Sequence, residues 1–270
     1  MTQNQFVDDL FVYYHGTSDA FVESISKNGI IGNDSYLAEL SIEIKYLKDQ
    51  ICLIGNQHFI DCYVYDGFRP NYQKIDFAYK AVLNNNFQNV YLAFSTFNAS
   101  NYSQNIGGEF KWGLYESIIH LKWIVDNYAE FDEIRRTNYE QEKANISLSQ
   151  PDEIFHWLPY EKVALDFLKF KLNYFSNRFM KDFEKTLSLH NNFIIIACKP
   201  SKFNIIFNSK IGMNEIIFPK IHTHEIVEYC PVGECNIEYN LNFMHLKIEA
   251  IKTLYKQKDE LEKMYNIQAS

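Results

Sequence analysis

The sequence predicts an α+β fold, and three observations carry that reading. Short runs of β-branched and aromatic residues lie near both ends of the chain, with long helical patterns between them. Hydrophobic residues make up 47% of the 270 and aromatic ones 16%, enough for a core packed largely by rings. No internal repeat, low-complexity tract or clear linker divides the chain, so one domain spanning residues 1–270 is expected.

The elements follow in order. Residues 9–15, DLFVYYH, read as a strand of aromatic and branched residues. Residues 19–28 read as a short helix, with Phe21, Val22 and Ile25 on one face, Ser18 or Asp19 as the cap, and Gly29 closing it. A helix is expected over 36–53, a strand over 58–65, a helix over 75–85 and a short strand over 88–93. Long helical patterns occupy 107–128 and 153–189, the second with Pro159 as a candidate break. Residues 192–198, NFIIIAC, read as an apolar strand, followed by strand candidates at 203–207 and 215–218. Residues 241–267 form an amphipathic helix with Met244, Ile248, Ile251, Leu254, Tyr255 and Leu261 near one face, expected to dock on the body before it binds an antitoxin-like partner or a second copy.

Composition narrows the function classes. No run approaches ~18 uninterrupted apolar residues, so no membrane span is expected. The first twenty residues carry neither a basic region nor an apolar core, so no secretory signal is expected. Five cysteines, Cys52, Cys62, Cys198, Cys230 and Cys235, are too few and odd in number for a stapled secreted scaffold, so a reducing cytoplasm and free thiols are expected. A net charge of −8 and a pI of about 5.5 argue against wholesale polyanion binding, though not against a local basic patch.

Three segments far apart in sequence hold candidate chemistry. Tyr14-His15-Gly16-Thr17 ends a strand, where the His15 ring can bond a hydroxyl and Gly16 permits close backbone approach. Tyr91 sits in a short strand and Tyr102 follows eleven positions later at a helix start, two rings able to sandwich a flat ligand. Glu215 opens the apolar run EIIFP, a costly place for a carboxylate unless it borders a cleft or is paired. Each segment alone has an ordinary reading: a strand ending in a turn, a core tyrosine pair, an edge glutamate facing solvent.

Together, YYHGTSDAFVESISKNGI (13–30), VYLAFSTFNASNY (90–102) and NEIIFPKIHTHEI (214–226) resemble the motifs of the diphtheria-toxin-like and poly(ADP-ribose)-polymerase-like ADP-ribosyltransferases. That family carries a His-Tyr-Glu set on three separated strands. The resemblance covers roughly a quarter of the chain, and the order of the motifs makes it specific. It implies a split-sheet core with insertions at about 31–87 and 103–190, and NAD as co-substrate. It implies His15, Tyr91 and Glu215 as catalytic residues, and His15, Gly16, Thr17, Tyr91 and Tyr102 as NAD contacts. Glu225, in HEIVEY, competes for the third motif. Met213, two before Glu215, and the lack of a Ser-Thr-Ser strand argue against the arginine-modifying branch.

By analogy with small stand-alone members, the resemblance implies a cytoplasmic mono-ADP-ribosyltransferase. It would be a toxin or defence effector with a macromolecular acceptor, nucleic acid or protein, and an antitoxin-like or inhibitor partner. Two alternatives stand beside it: a non-catalytic NAD- or ADP-ribose-binding module, and an RNA 2′-phosphotransferase-like enzyme. No metal is expected at the site. His222, His224, Cys230 and Cys235 form a possible zinc set of unusual spacing, with an ordinary turn as the blander reading. The lysines and arginine between Lys162 and Lys185, interleaved with phenylalanines, read as a solvated helix face before a nucleic-acid surface.

Overall fold

Strands apolar on both sides need cover on both faces, and the central strands of this protein have it. The computed structural model describes residues 10–55, 79–80, 82–84, 87–129, 133, 161–237 and 240–268. The strand expected over 58–65, most of the helix over 75–85 and the start of the one from 153, Pro159 included, lie outside them. The fold is mixed helix and strand. The chain divides into two compact units, residues 1–34, 86–109 and 186–270 in one, and 35–85 and 110–185 in the other. The second unit falls within the stretches expected as insertions.

The first unit holds strands β1 (Tyr13–Ser18), β3 (Val90–Ala93), β4 (Phe193–Cys198), β5 (Lys210–Ile211), β6 (Glu215–Phe218) and β8 (Ile226–Pro231). They form one antiparallel sheet in the order β5-β6-β3-β1-β4-β8. Two further short strands, β2 (Ile30–Ile31) and β7 (Lys220–Ile221), pair with each other. Between β1 and β2 lies α1 (Val22–Asn28), preceded by one tight turn that Ser18 caps by accepting the Ala20 N–H at 3.2 Å. Gly29 ends α1 at φ 76°, and a side chain there would meet the Ile221 carbonyl oxygen at 2.2 Å.

One face of the sheet packs Tyr13, Leu92, Ile196 and Ile216 under Ile205 of α7 (Lys202–Asn208) and Met244, Ile251 and Leu254 of α8 (Leu241–Gln268). The expected docking of the C-terminal helix is thus observed. The opposite face packs Tyr14, Ala93, Ile195 and Ala197 under Ala99 of α3 (Thr96–Ser103). Lys247 of α8 is fully buried. Its Nζ donates to the carbonyls of Val12 and Phe94, the latter at 3.1 Å, with the Tyr14 ring centroid 4.8 Å away. Carbonyl oxygens and ring faces replace the water this charge gave up, and the bond pair ties the end of β3 to the start of β1.

Residues 203–207, expected as a strand, lie instead within helix α7. Ser201 caps it by accepting the Asn204 N–H at 3.1 Å, and Asn204 and Ile205 are its buried side chains while Phe203 and Phe207 face outward. The run FNIIF has no period of its own, so the cap and the neighbouring α8 decide.

In the second unit, α2 (Ser35–Gly55) buries Leu37, Leu40, Ile44 and Leu47, and α4 (Gly108–Asp126) buries Phe110, Leu114, Ile118 and Leu121, each set at helical spacing. Helices α5 (Glu161–Phe175) and α6 (Lys181–Ser188) are joined through one wide turn over Ser176–Met180. Lys171 reaches Glu43 at 3.0 Å, and Tyr174 donates to the same carboxylate at 3.2 Å. Burial pushes the His120 imidazole down to about 4, so it is neutral at pH 7. Among the described residues no helix is long and apolar enough to cross a membrane.

Candidate functional site

One row of register runs across three strands. Tyr14 of β1 faces Ala93 of β3, and Ala93 faces Glu215 of β6. β1 and β3 pair at that one position only. Beyond it β1 follows β4 from Tyr13 to Ser18, while β3 follows β6 from Val90 to Ala93. The sheet therefore parts between His15 and Tyr91.

A side chain bridges the parting. His15 Nδ1 lies 3.2 Å from the Tyr91 carbonyl oxygen, 76 residues away in sequence. That carbonyl fixes Nδ1 as the protonated nitrogen and leaves Nε2 as an acceptor. Burial lowers the His15 pKa, against a smaller opposing effect of the Tyr91 bond, so the ring is neutral at pH 7.

On the other side of the row, Tyr102 of α3 donates its hydroxyl to Glu215 Oε2 at 3.4 Å, across 113 residues. Tyr102 is 36% exposed and Glu215 half-buried, so the pair stands at the surface of the sheet end. Alternation along the strands sets Tyr91 on the same face as Glu215. The structure thus brings His15 to Tyr91, and Tyr102 to Glu215, around one seam.

Two glycines shape it. Gly16 faces α3 so closely that a Cβ would lie 1.9 Å from the Ala99 carbonyl oxygen and 2.6 Å from the Ser103 nitrogen. The close approach expected at Gly16 is therefore first an approach of helix to strand, and it is what brings Tyr102 over the sheet. Gly212 lies in the β5–β6 hairpin, where its N–H donates to the Glu215 carbonyl at 2.9 Å. A Cβ there would sit 2.8 Å from Glu215 Cγ, so the carboxylate folds over bare backbone. Sequence reasoning missed Gly212; a glycine three residues before a strand-opening glutamate was the available signal.

Thr17 is 8% exposed on β1, opposite Ile194. Ser18 is fully buried and its hydroxyl lies 2.8 Å from His190 Nδ1, which engages it in structure.

Glu225, the rival of Glu215, has a different place. It is 3% exposed and accepts from the backbone of Ser201 and His222, both at 3.0 Å, and from the Asn204 amide at 2.9 and 3.1 Å. Burial raises its pKa, and the His222, Asn204 and Ser201 bonds outweigh that and hold it below the ordinary glutamate value. Every oxygen is used to close the corner before β8 and the start of α7.

The zinc set is not assembled. Cys230 and Cys235 are joined to each other as a disulfide, Cα atoms 6.0 Å apart, while the His222 and His224 rings stack at 5.5 Å. A turn after Pro231, with the Cys235 N–H on the Pro231 carbonyl at 3.1 Å, brings the two sulfurs together. The expectation of free thiols does not hold for this pair. Among the described residues, no group of three or more His, Cys, Asp or Glu is arranged to hold a metal ion. Cys198 is fully buried, and burial with the nearby Glu225 charge raises its pKa.

In comparisons with known proteins, no family model, curated protein or solved structure matches the chain.

Proposed function

We propose that this protein is an NAD-dependent mono-ADP-ribosyltransferase of the His-Tyr-Glu type, acting in the cytoplasm as a toxin or defence effector on a macromolecular acceptor. One observation carries the reading. Residues singled out from three distant motifs converge on the seam between β1 and β3, with His15 on Tyr91 and Tyr102 on Glu215.

The roles follow from the groups. Neutral His15 offers Nε2 to a ribose hydroxyl. The Gly16 backbone holds the nicotinamide amide, with Thr17 beside it, and the Tyr91 and Tyr102 rings flank the nicotinamide. The bond from ribose C1′ to the nicotinamide nitrogen breaks, and nicotinamide leaves with the electron pair. The acceptor atom bonds C1′ and gives up its proton. Positive charge develops on the ribose as this happens, and the Glu215 carboxylate offsets it while bonding the 2′-hydroxyl. Such electrostatic stabilisation in a water-poor site is worth ~3 kcal/mol. The reading predicts an antitoxin-like or inhibitor protein that covers this seam.

The test is transfer from labelled NAD in a cell lysate, wild type beside Glu215→Ala, with products split by protease and by nuclease. Label that depends on Glu215 supports the enzyme and names the acceptor class. Equal labelling by the variant sinks the assignment. NAD binding without any label moves the protein to the alternative of a non-catalytic NAD-binding module.

A further inference from the structure

An acid-free stretch of the chain lies next to the site. From Phe193 to Asn214 there is no Asp or Glu, although the chain holds 34 of them, and three lysines fall in that stretch. Helix α7 sits in the middle. Its Ile205 is buried, and its outer side presents Phe203 at 67% and Phe207 at 43% exposure, ring centroids 4.7 Å apart. Lys199, Lys202 and Lys210 are exposed around them, and Lys258 of α8 holds its Nζ 5.8 Å from the Phe207 ring centroid.

Two neighbouring phenylalanine rings on one helix face leave apolar area in water, and full burial of each is worth about 2 kcal/mol. A flat π-face flanked by cations suits one chemistry well: bases stack on rings while phosphates meet ammonium groups. The patch lies over the sheet face opposite Glu215, and the β5 edge joins the two faces. α7 runs directly into β5, where Lys210 faces Ile217 and Ile217 faces Tyr91. By strand alternation Lys210 thus shares the face that carries Glu215 and Tyr91.

We propose that the surface of Phe203, Phe207, Lys199 and Lys202 at α7, with Lys258 of α8, binds single-stranded nucleic acid, and that this strand passes Lys210 at the β5 edge to reach the site as the acceptor. The second clause rests on the transferase reading; the first does not. The lysines of this surface, on a chain of net charge −8, draw a polyanion to it. An anionic membrane is the weaker occupant, because the helix has seven residues and two apolar anchors.

The experiment measures anisotropy of labelled oligo-dT and oligo-U with the full chain, beside the same strands as duplexes. Wild type should prefer single strands. Phe203→Ala and Phe207→Ala should each weaken binding about tenfold. Lys199→Glu with Lys202→Glu should abolish most of it, and the wild-type log-log salt slope should be about −2, the value for three phosphates, one for each of Lys199, Lys202 and Lys258. All these side chains are exposed, and melting curves check that each variant is folded. Whichever of DNA or RNA binds tighter names the sugar. Absence of binding, equal binding by the phenylalanine variants, or tighter binding to anionic phosphatidylserine vesicles overturns the proposal. Glu215→Gln separates the two readings: it should keep strand binding and lose transfer. A bound strand that wild type leaves unlabelled from NAD keeps the binding surface and overturns the acceptor role.

Discussion

Two glutamates ten residues apart, Glu215 and Glu225, stand in opposite environments. Glu225 is buried and each of its oxygens accepts donors from Ser201, Asn204 and His222. Glu215 is half-buried, laid over Gly212, with the Tyr102 hydroxyl at 3.4 Å. A carboxylate saturated with donors from its own chain holds a corner together. One at a strand end faces a seam and a tyrosine, the place the transferase reading gives the ribose. Both open on the sequence pattern Glu-Ile, so their neighbours and not their own residues set the difference.

That contrast is sharpest in transfer. Glu215→Gln should lower transfer by about 10²–10³-fold, as loss of one such electrostatic partner does, with NAD affinity and melting temperature nearly unchanged. Labelled-NAD assays beside calorimetry read both. A large drop in melting temperature would place Glu215 with Glu225 as a structural group.

Next comes the glycine under α3. Gly16→Ala sets a methyl 1.9 Å from the Ala99 carbonyl oxygen, so α3 must shift. We expect about 3 kcal/mol of lost stability by denaturant titration, and loss of transfer with it, because Tyr102 moves off Glu215.

Acid unfolding separates the two units. His120 has a folded pKa of about 4 against 6.5 unfolded, so the unfolded chain binds the proton first. Stability should fall as pH drops from 6.5 to 4, by about 3 kcal/mol, and His120→Phe should flatten that limb.

The Glu225 pKa is depressed in the fold. Its stability is therefore present above the unfolded value and lost as pH falls through the folded one. Glu225→Gln should cost about 2 kcal/mol at pH 7, by turning an amide NH₂ toward donors, and should remove the most acidic limb. Transfer at a temperature well below melting should persist. Smallest of all, Tyr102→Phe should lower transfer less than about tenfold, since one hydroxyl bond is lost and the ring stays. A loss as large as that of Glu215→Gln would make the hydroxyl itself part of the chemistry.

The sequence by itself determined the strands and helices with a period or a cap. Val90–Ala93, Phe193–Cys198 and Glu215–Phe218 are short apolar runs, and Ser18 and Gly29 mark the turn and helix after β1, which the sequence placed at 9–15 and the structure at Tyr13–Ser18. It also marked His15, Tyr91, Tyr102 and Glu215 as residues worth bringing together. Tertiary structure alone decided three things. It made residues 203–207 a helix, because that apolar run has no period and only a cap and a packed neighbour fix it. It gave Glu215 and Glu225 different surroundings, because the donors that saturate Glu225 come from both sides of a corner. And it set Gly16 against α3 and Gly212 beneath Glu215, because a glycine marks where close approach is possible and only the folded chain decides what approaches.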